Sequence, residues 1–179
     1  AQVAALVAGR NDAAAPLATW VLLDRFAEVL VFANDRLAQM SSGRYELVRV
    51  DDEAGSAGRR DRGLGLGVID RFSPGGVRDP KTLSGGETFY VSLALALALA
   101  DVVTAESGGI AMETLFVDEG FGSLDPETLQ AVLAELGRLQ AGGRTVGIVS
   151  HVEELRRQIP DRIEVVRTPS GSTLRITAS

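Results

Sequence analysis

Residues 93–100 read Leu-Ala-Leu-Ala-Leu-Ala-Leu-Ala, and this run constrains the fold more than any other stretch. Its period of two nominally specifies a strand. Yet Leu and Ala are both strong helix formers, none of these residues is β-branched, and the apolar tract outruns an ordinary strand. The composition therefore predicts a helix over 87–103. Leucines then fall all round the cylinder, so burial on most sides is expected. Ser84 and Glu87 stand ahead of it in the S-x-x-E arrangement of a capping box.

Elsewhere the pattern alternates between helix and strand signals. Leu23, Phe26, Leu30, Ala33, Leu37 and Met40 recur at spacings of three and four, which predicts a helix over 17–40. The seam is either the foot of a coiled coil or the inner face of an amphipathic helix lying on the domain. Pro16 suits the first turn of that helix. Residues 45–50 alternate like a strand, 51–63 read as a mobile surface loop, and 64–72 resume as a strand. Gly63-Leu64-Gly65-Leu66-Gly67 lacks the spacing of a dinucleotide loop and runs into the turn 73–76 instead of a helix. Residues 112–117 and 145–150 read as buried parallel strands, with a helix over 126–140 between them. Leu129, Val132, Leu133 and Leu136 line one side of that helix. A short helix ends at 156–158. The segments 163–166 and 173–176 flank Pro169-Ser170-Gly171-Ser172 as a hairpin. Strand–helix–strand order implies right-handed crossovers and a parallel sheet, with functional loops at the carboxyl ends of its strands. Asp118, Glu119 and His151 all fall at such ends.

Composition excludes several functions. There is no Cys, which rules out disulfides and thiolate metal sites and fits a reducing cytoplasm. The net charge is −6, so a basic nucleic-acid footprint is missing at the whole-chain level. Arg59, Arg60, Arg62, Arg71 and Arg78 are scattered and read as solvated surface. The apolar run 91–100 is far shorter than a membrane span, and no membrane partner is expected. No secretory leader pattern opens the chain, and its start at Ala1 is that expected of a segment from a longer polypeptide. The only lysine, Lys81, follows Asp79-Pro80 and not the glycines of Gly-x4-Gly-Lys-Ser/Thr. A phosphate-cradling P-loop is therefore absent from this chain.

Two adjacent carboxylates after an apolar strand have a chemical use. One holds Mg²⁺, usually through water, while the next orients or deprotonates an attacking water. Taken singly, Asp118-Glu119 is also explicable as a strand end meeting solvent. Ser84 is explicable as a cap, Asp125 as the cap of the helix opened by Pro126, and a lone histidine as structural. Their order is what singles them out. Leu83-Ser84-Gly85-Gly86-Glu87 is followed by Asp118-Glu119, then Ser123-Leu124-Asp125, then His151.

That order resembles the C-terminal half of ABC-type ATPase heads, in which signature, Walker B, D-loop and switch histidine follow one another. The resemblance spans residues 41–176. It narrows to the SbcC branch of SMC-like DNA-repair ATPases on Asn34-Asp35-Arg36-Leu37, Ser42-Gly43-Arg44-Tyr45, Thr82 through Phe89, the helix 92–103 and Leu115 through Asp125. Transporter ATPases usually carry Pro after the catalytic Glu, where this chain has Gly120.

The resemblance implies an α/β fold: the C-terminal lobe of a P-loop ATPase head, mostly parallel sheet with flanking helices. Residues 1–40 would form the base of a returning coiled-coil arm and 41–179 the lobe itself. A missing N-terminal lobe would supply the P-loop, and two heads would dimerise head-to-tail around ATP and Mg²⁺. In that scheme Leu83, Ser84, Gly85, Gly86 and Glu87 face the nucleotide of the opposite head. Asp118 serves Mg²⁺, Glu119 polarises the attacking water, and His151 contacts the γ-phosphate. Ser123, Leu124 and Asp125 touch the partner head. The family works with SbcD, a metal-dependent nuclease, on DNA ends. The whole protein would thus be a cytoplasmic ATPase of double-strand break repair, inactive as this chain alone. The alternatives are a fragment of another ABC-type ATPase, such as one from a transporter, and a non-hydrolysing interaction module.

Overall fold

The computed structural model describes residues 16–50, 65–106 and 112–178. The loop expected over 51–63, with Arg59, Arg60 and Arg62, lies outside them, as does most of the Ala-rich start. Helix α1 (Leu17–Met40) leads into an antiparallel sheet of β1 (Tyr45–Val50), β2 (Gly65–Asp70) and the short β3 (Val77–Arg78). A 3-10 turn at Pro80–Thr82 precedes helix α2 (Gly85–Glu106). Strand β4 (Thr114–Asp118), a second 3-10 turn at Phe121–Ser123, helix α3 (Pro126–Ala141) and strand β5 (Thr145–Val149) follow. Helix α4 (Glu153–Gln158) then leads to a hairpin of β6 (Arg162–Thr168) and β7 (Gly171–Thr177).

The fold is α/β, with parallel pairing confined to β4 and β5, in register from Thr114 with Thr145 to Asp118 with Val149. Helix α3 is the crossover between them. The other two sheets are antiparallel. The Leu-Ala run is indeed helical, because its backbone preference outweighs its period. Its burial differs from the expectation. Tyr90, Val91, Leu93, Ala94, Leu97, Ala98 and Val102 are buried, while Leu99 is 53% exposed. Among the described residues, helix α2 has packing partners on one flank only. By length and composition α2 would also suffice to cross a membrane, since it continues on both sides of 91–100. Its buried flank instead joins the core.

The α1 seam divides in two. Leu30, Ala33, Leu37 and Met40 are buried against the domain, as for an amphipathic helix docked on a core. Towards the other end Leu17, Trp20, Val21 and Leu22 are exposed. Pro16 sits at the N-cap in extended geometry, one position before the first turn. Asn34 fastens α1 to β1. Its Nδ2 donates to the Leu47 carbonyl at 2.9 Å, and the Leu47 N–H donates to its Oδ1 at 2.7 Å. β1 is an edge strand, so this side chain satisfies backbone groups that no neighbouring strand reaches. Arg36 ties α1 to α2 through Asp101 at 2.5 Å and to α3 through Glu135, while Arg144 completes the network on Asp101 at 2.7 Å.

Strands β4 and β5 are less buried than their apolar runs predict. Only Val117 of β4 is buried, whereas Phe116 is 72% and Val149 51% exposed. The hairpin leaves Ile163, Val165, Leu174 and Ile176 exposed as well. Among the described residues nothing covers these apolar side chains of the β4–β5 pair and the hairpin.

Candidate functional site

Strand β4 delivers two carboxylates at its carboxyl end and β5 delivers His151 just past its own. The turn after β4 is unusual. Glu119 has φ +56° and Gly120 φ +90°, two left-handed residues in succession. For a glutamate that conformation costs roughly 1–2 kcal/mol. The Glu119 N–H donates to the Val149 carbonyl at 2.8 Å, which clamps the turn to β5. Glu119 Oε2 then lies 3.0 Å from His151 Nδ1. A carboxylate only accepts, so Nδ1 carries the proton and Nε2 is the ring's remaining polar atom. Both side chains are exposed, His151 at 81% and Glu119 at 53%.

Gly120 is needed for two reasons. Its positive φ is inaccessible to proline, and a Cβ there would sit 2.1 Å from Cδ2 of Phe89. Phe89, on the first turns of α2, packs on Phe121 with the rings inclined at 59° and their centroids 5.0 Å apart. Phe121 is 1% exposed and anchors the 3-10 turn that follows the carboxylates.

Ser84 and Glu87 form the expected capping box. The Ser84 N–H donates to Glu87 Oε2 at 2.7 Å and the Glu87 N–H to Ser84 Oγ at 3.3 Å. Gly86 packs closely on the turn at 121–123, for a Cβ there would lie 2.7 Å from the Ser123 carbonyl oxygen. Leu83 and Leu124 are partly buried against the core. The Ser123 hydroxyl donates to the Gly120 carbonyl at 2.8 Å. Asp125 caps α3, accepting from the Thr128 N–H at 2.9 Å and its hydroxyl at 2.7 Å. Those bonds hold its carboxyl below the usual carboxylate range.

The expected residues therefore fall into two groups. Glu119 and His151 meet directly, beside Asp118. Gly85 and Gly86 of the segment 83–87 pack on Ser123 and Leu124. Among the described residues no hydrogen bond joins Ser84 to Glu119 or His151. Nor, among those residues, do three acidic or histidine side chains converge as a cation cage. Such a sparse donor set suits Mg²⁺, which keeps several waters and shares its coordination with phosphates. Sequence reasoning names Phe89 and Tyr45 among motif residues but gives neither of them a contact or a role in the site. The burial of Tyr45 was foreshadowed by the period of 45–50, which turns Tyr45 and Leu47 to the same side.

Comparison with known proteins agrees with this architecture. A family model described as SbcC/RAD50-like, Walker B motif, matches residues 73–137. Proteins named as the SbcC component of the nuclease SbcCD are similar over most of the chain. The one from Vibrio cholerae is 51% identical across 94% of this chain, and that from Treponema pallidum 44% across 92%. The chain belongs with the SbcC-like proteins. It spans only 15–16% of the length of these relatives. Among solved structures, a chain from work on ATP-driven dimerization and DNA-stimulated activation of SMC ATPases superposes with TM-score 0.66 at 15% identity, covering 88% of both chains. An SMC head bound to the C-winged helix domain of ScpA superposes with TM-score 0.64 at 17% identity, covering 89% of this chain and 46% of that one. These likenesses fix the fold of the SbcC-like segment as that of an SMC head.

Proposed function

We propose that this SbcC-like segment is the C-terminal lobe of an ATP-hydrolysing head, residues 41–179, with residues 1–40 at the base of a coiled-coil arm. The direct contact of Glu119 with His151, on a left-handed turn at the end of parallel strands, carries the reading. A strained glutamate whose partner is a lone exposed histidine has little structural use, and such strain clusters at functional sites. Glu119 orients a water for attack on the terminal phosphate. His151 holds Glu119 through Nδ1 and turns Nε2 towards that phosphate. Asp118 holds Mg²⁺ through water. Mg²⁺ held there would supply charge neutralisation at the phosphate undergoing attack.

Ser84, Gly85 and Gly86 serve the nucleotide of a second head. Helix α2 points its amino end there, where backbone N–H groups and the helix dipole favour anions. Ser123, Leu124 and Asp125 carry the D-loop contact between heads. The missing N-terminal lobe brings the P-loop and covers the bare apolar faces around Phe116, Val149, Val165 and Leu174. A P-loop cannot come from this chain, so the isolated segment binds ATP negligibly. In the whole protein, ATP-driven closure of two heads controls an SbcD-like nuclease acting on DNA, in the cytoplasm. The exposed end of α1 around Trp20 and Leu22 is the surface offered to that nuclease.

The test is Glu119→Gln in the full-length protein. Turnover is expected to fall by about 10²- to 10³-fold while ATP-dependent head association persists. Retained turnover overturns the assignment. Micromolar ATP binding by the isolated segment, measured by calorimetry, overturns the division between lobes.

A further inference from the structure

We propose that Tyr45 is a positioning residue for the signature serine, fixing Ser84 from a separate sheet through the carboxylate of Glu87. This rests on the reading in which Ser84 faces a phosphate held by a second head. Tyr45 lies on β1, is 3% exposed, and is 42 residues away from Glu87 in sequence. Its hydroxyl donates to Glu87 Oε1 at 2.5 Å. The other oxygen, Oε2, takes the Ser84 N–H at 2.7 Å. Both carboxylate oxygens are thus held, one by the buried sheet and one by the signature backbone.

A capping box is complete with two residues and needs no third. On its own, Glu87 sits at a helix start and is free to rotate about its side-chain torsions. The phenol removes that freedom, and the carboxylate then fixes the Ser84 N–H, and with it the backbone that carries the Ser84 hydroxyl. Tyr45 is itself immobilised. Its ring packs on Tyr90 with centroids 5.9 Å apart, and the Arg44 guanidinium covers it at 4.8 Å. Arg44 is held in turn by two hydrogen bonds to the buried Asp70, at 3.1 and 2.8 Å.

Protonation suits the arrangement. Burial and the Glu87 carboxylate push the Tyr45 hydroxyl up to about 12, so it remains a donor at physiological pH. Burial raises Glu87, but the bonds from Tyr45 and Ser84 outweigh it and hold the carboxyl below its usual value, as an acceptor. A contact made across a dimer tolerates little misplacement, since an error of about 1 Å is felt as a large loss in rate.

The experiment compares Tyr45→Phe, Glu87→Ala, their combination and Ser84→Arg in the full-length protein with its nuclease partner. Tyr45→Phe keeps the ring and loses only the hydroxyl. The expected result is a loss of thermal stability no larger than one hydrogen bond accounts for, with unchanged ATP affinity of separated heads. ATP-dependent head association and kcat should each weaken by about tenfold, as for loss of one hydrogen bond to a charged group. In the Glu87→Ala background the same change should add nothing, because the relay is already broken. Wild-type association in Tyr45→Phe overturns the inference. So does a full additive loss in the Glu87→Ala background, or a loss of stability and ATP affinity together, which marks a merely structural tyrosine. Ser84→Arg separates the two levels. If it keeps wild-type association, the reading of the site and this inference both fall. If it abolishes association while Tyr45→Phe preserves it, only the inference falls.

Discussion

The ring of Phe89 lies against the side of Gly120 where a Cβ would stand, so the first turns of α2 rest on the residue that follows Glu119. Phe89 also packs on Phe121, the buried anchor of the turn leading to Ser123. Two segments with separate roles in the proposed head are thereby joined inside one polypeptide. A shift of α2 must be felt at the Glu119 turn, because the contact has no slack for a side chain at position 120.

Gly120→Ala tests that contact. The substitution places a Cβ into the Phe89 ring on a backbone with φ +90°. We expect destabilisation of about 2 kcal/mol or more from the left-handed backbone and overpacking together. Thermal unfolding of the full-length protein measures it. The double variant Gly120→Ala/Phe89→Ala should recover the steric part but not the backbone part.

Arg36→Met should cost about 3 kcal/mol, because it strands the buried Glu135 and the half-buried Asp101 without their shared cation. Arg138 and Arg144 remain on those carboxylates and limit the loss. Denaturant titration reads the difference, and a change below about 1 kcal/mol would mean the remaining arginines suffice.

Asn34→Ala removes both bonds to the Leu47 backbone and exposes an edge strand on the side where α1 seals it. About 2 kcal/mol is expected from two lost hydrogen bonds. Hydrogen exchange at the Leu47 amide should accelerate before exchange elsewhere in β1 does.

Acid should weaken two contacts through specific carboxylates, the Arg44–Asp70 pair beside β1 and the Arg36–Asp101 pair between α1 and α2. Hydrogen bonds and charge from Arg44 hold Asp70 below the usual value. Burial raises Asp101, but the bonds and charges of Arg144 and Arg36 outweigh it and hold that carboxyl low as well. Each contributes stability that is complete above the unfolded aspartate value of about 3.9 and is lost as pH falls through the lower folded value. The midpoint of thermal unfolding should therefore drop below about pH 4. Asp70→Asn should flatten that dependence while lowering stability at neutral pH.

Much of the fold is legible in the residues themselves. Helix α1 is readable at its full extent because apolar spacings of three and four leave a helix few alternatives. The capping box of Ser84 and Glu87 is legible because its chemistry is local. The order of the 83–87, 118–119, 123–125 and His151 segments resembles ABC-type ATPase heads, and the segments 34–37, 42–45, 82–89 and 115–125 narrow that resemblance to the SbcC-like group. Burial is not legible in the same way. Phe116, Val149 and Leu99 are apolar in sequence and exposed in the fold, since an apolar residue records what it should pack against and not whether that partner lies on the same chain.

Local propensity and motif order thus determined from sequence alone which segments become helix or strand and which residues sit at strand ends. The tertiary structure decided which distant groups meet: Tyr45 with Glu87, Arg36 with Glu135, Phe89 with Gly120, His151 with Glu119. Backbone preference acts over a few neighbouring residues. These contacts depend on how sheets and helices are laid against one another, which no local period encodes.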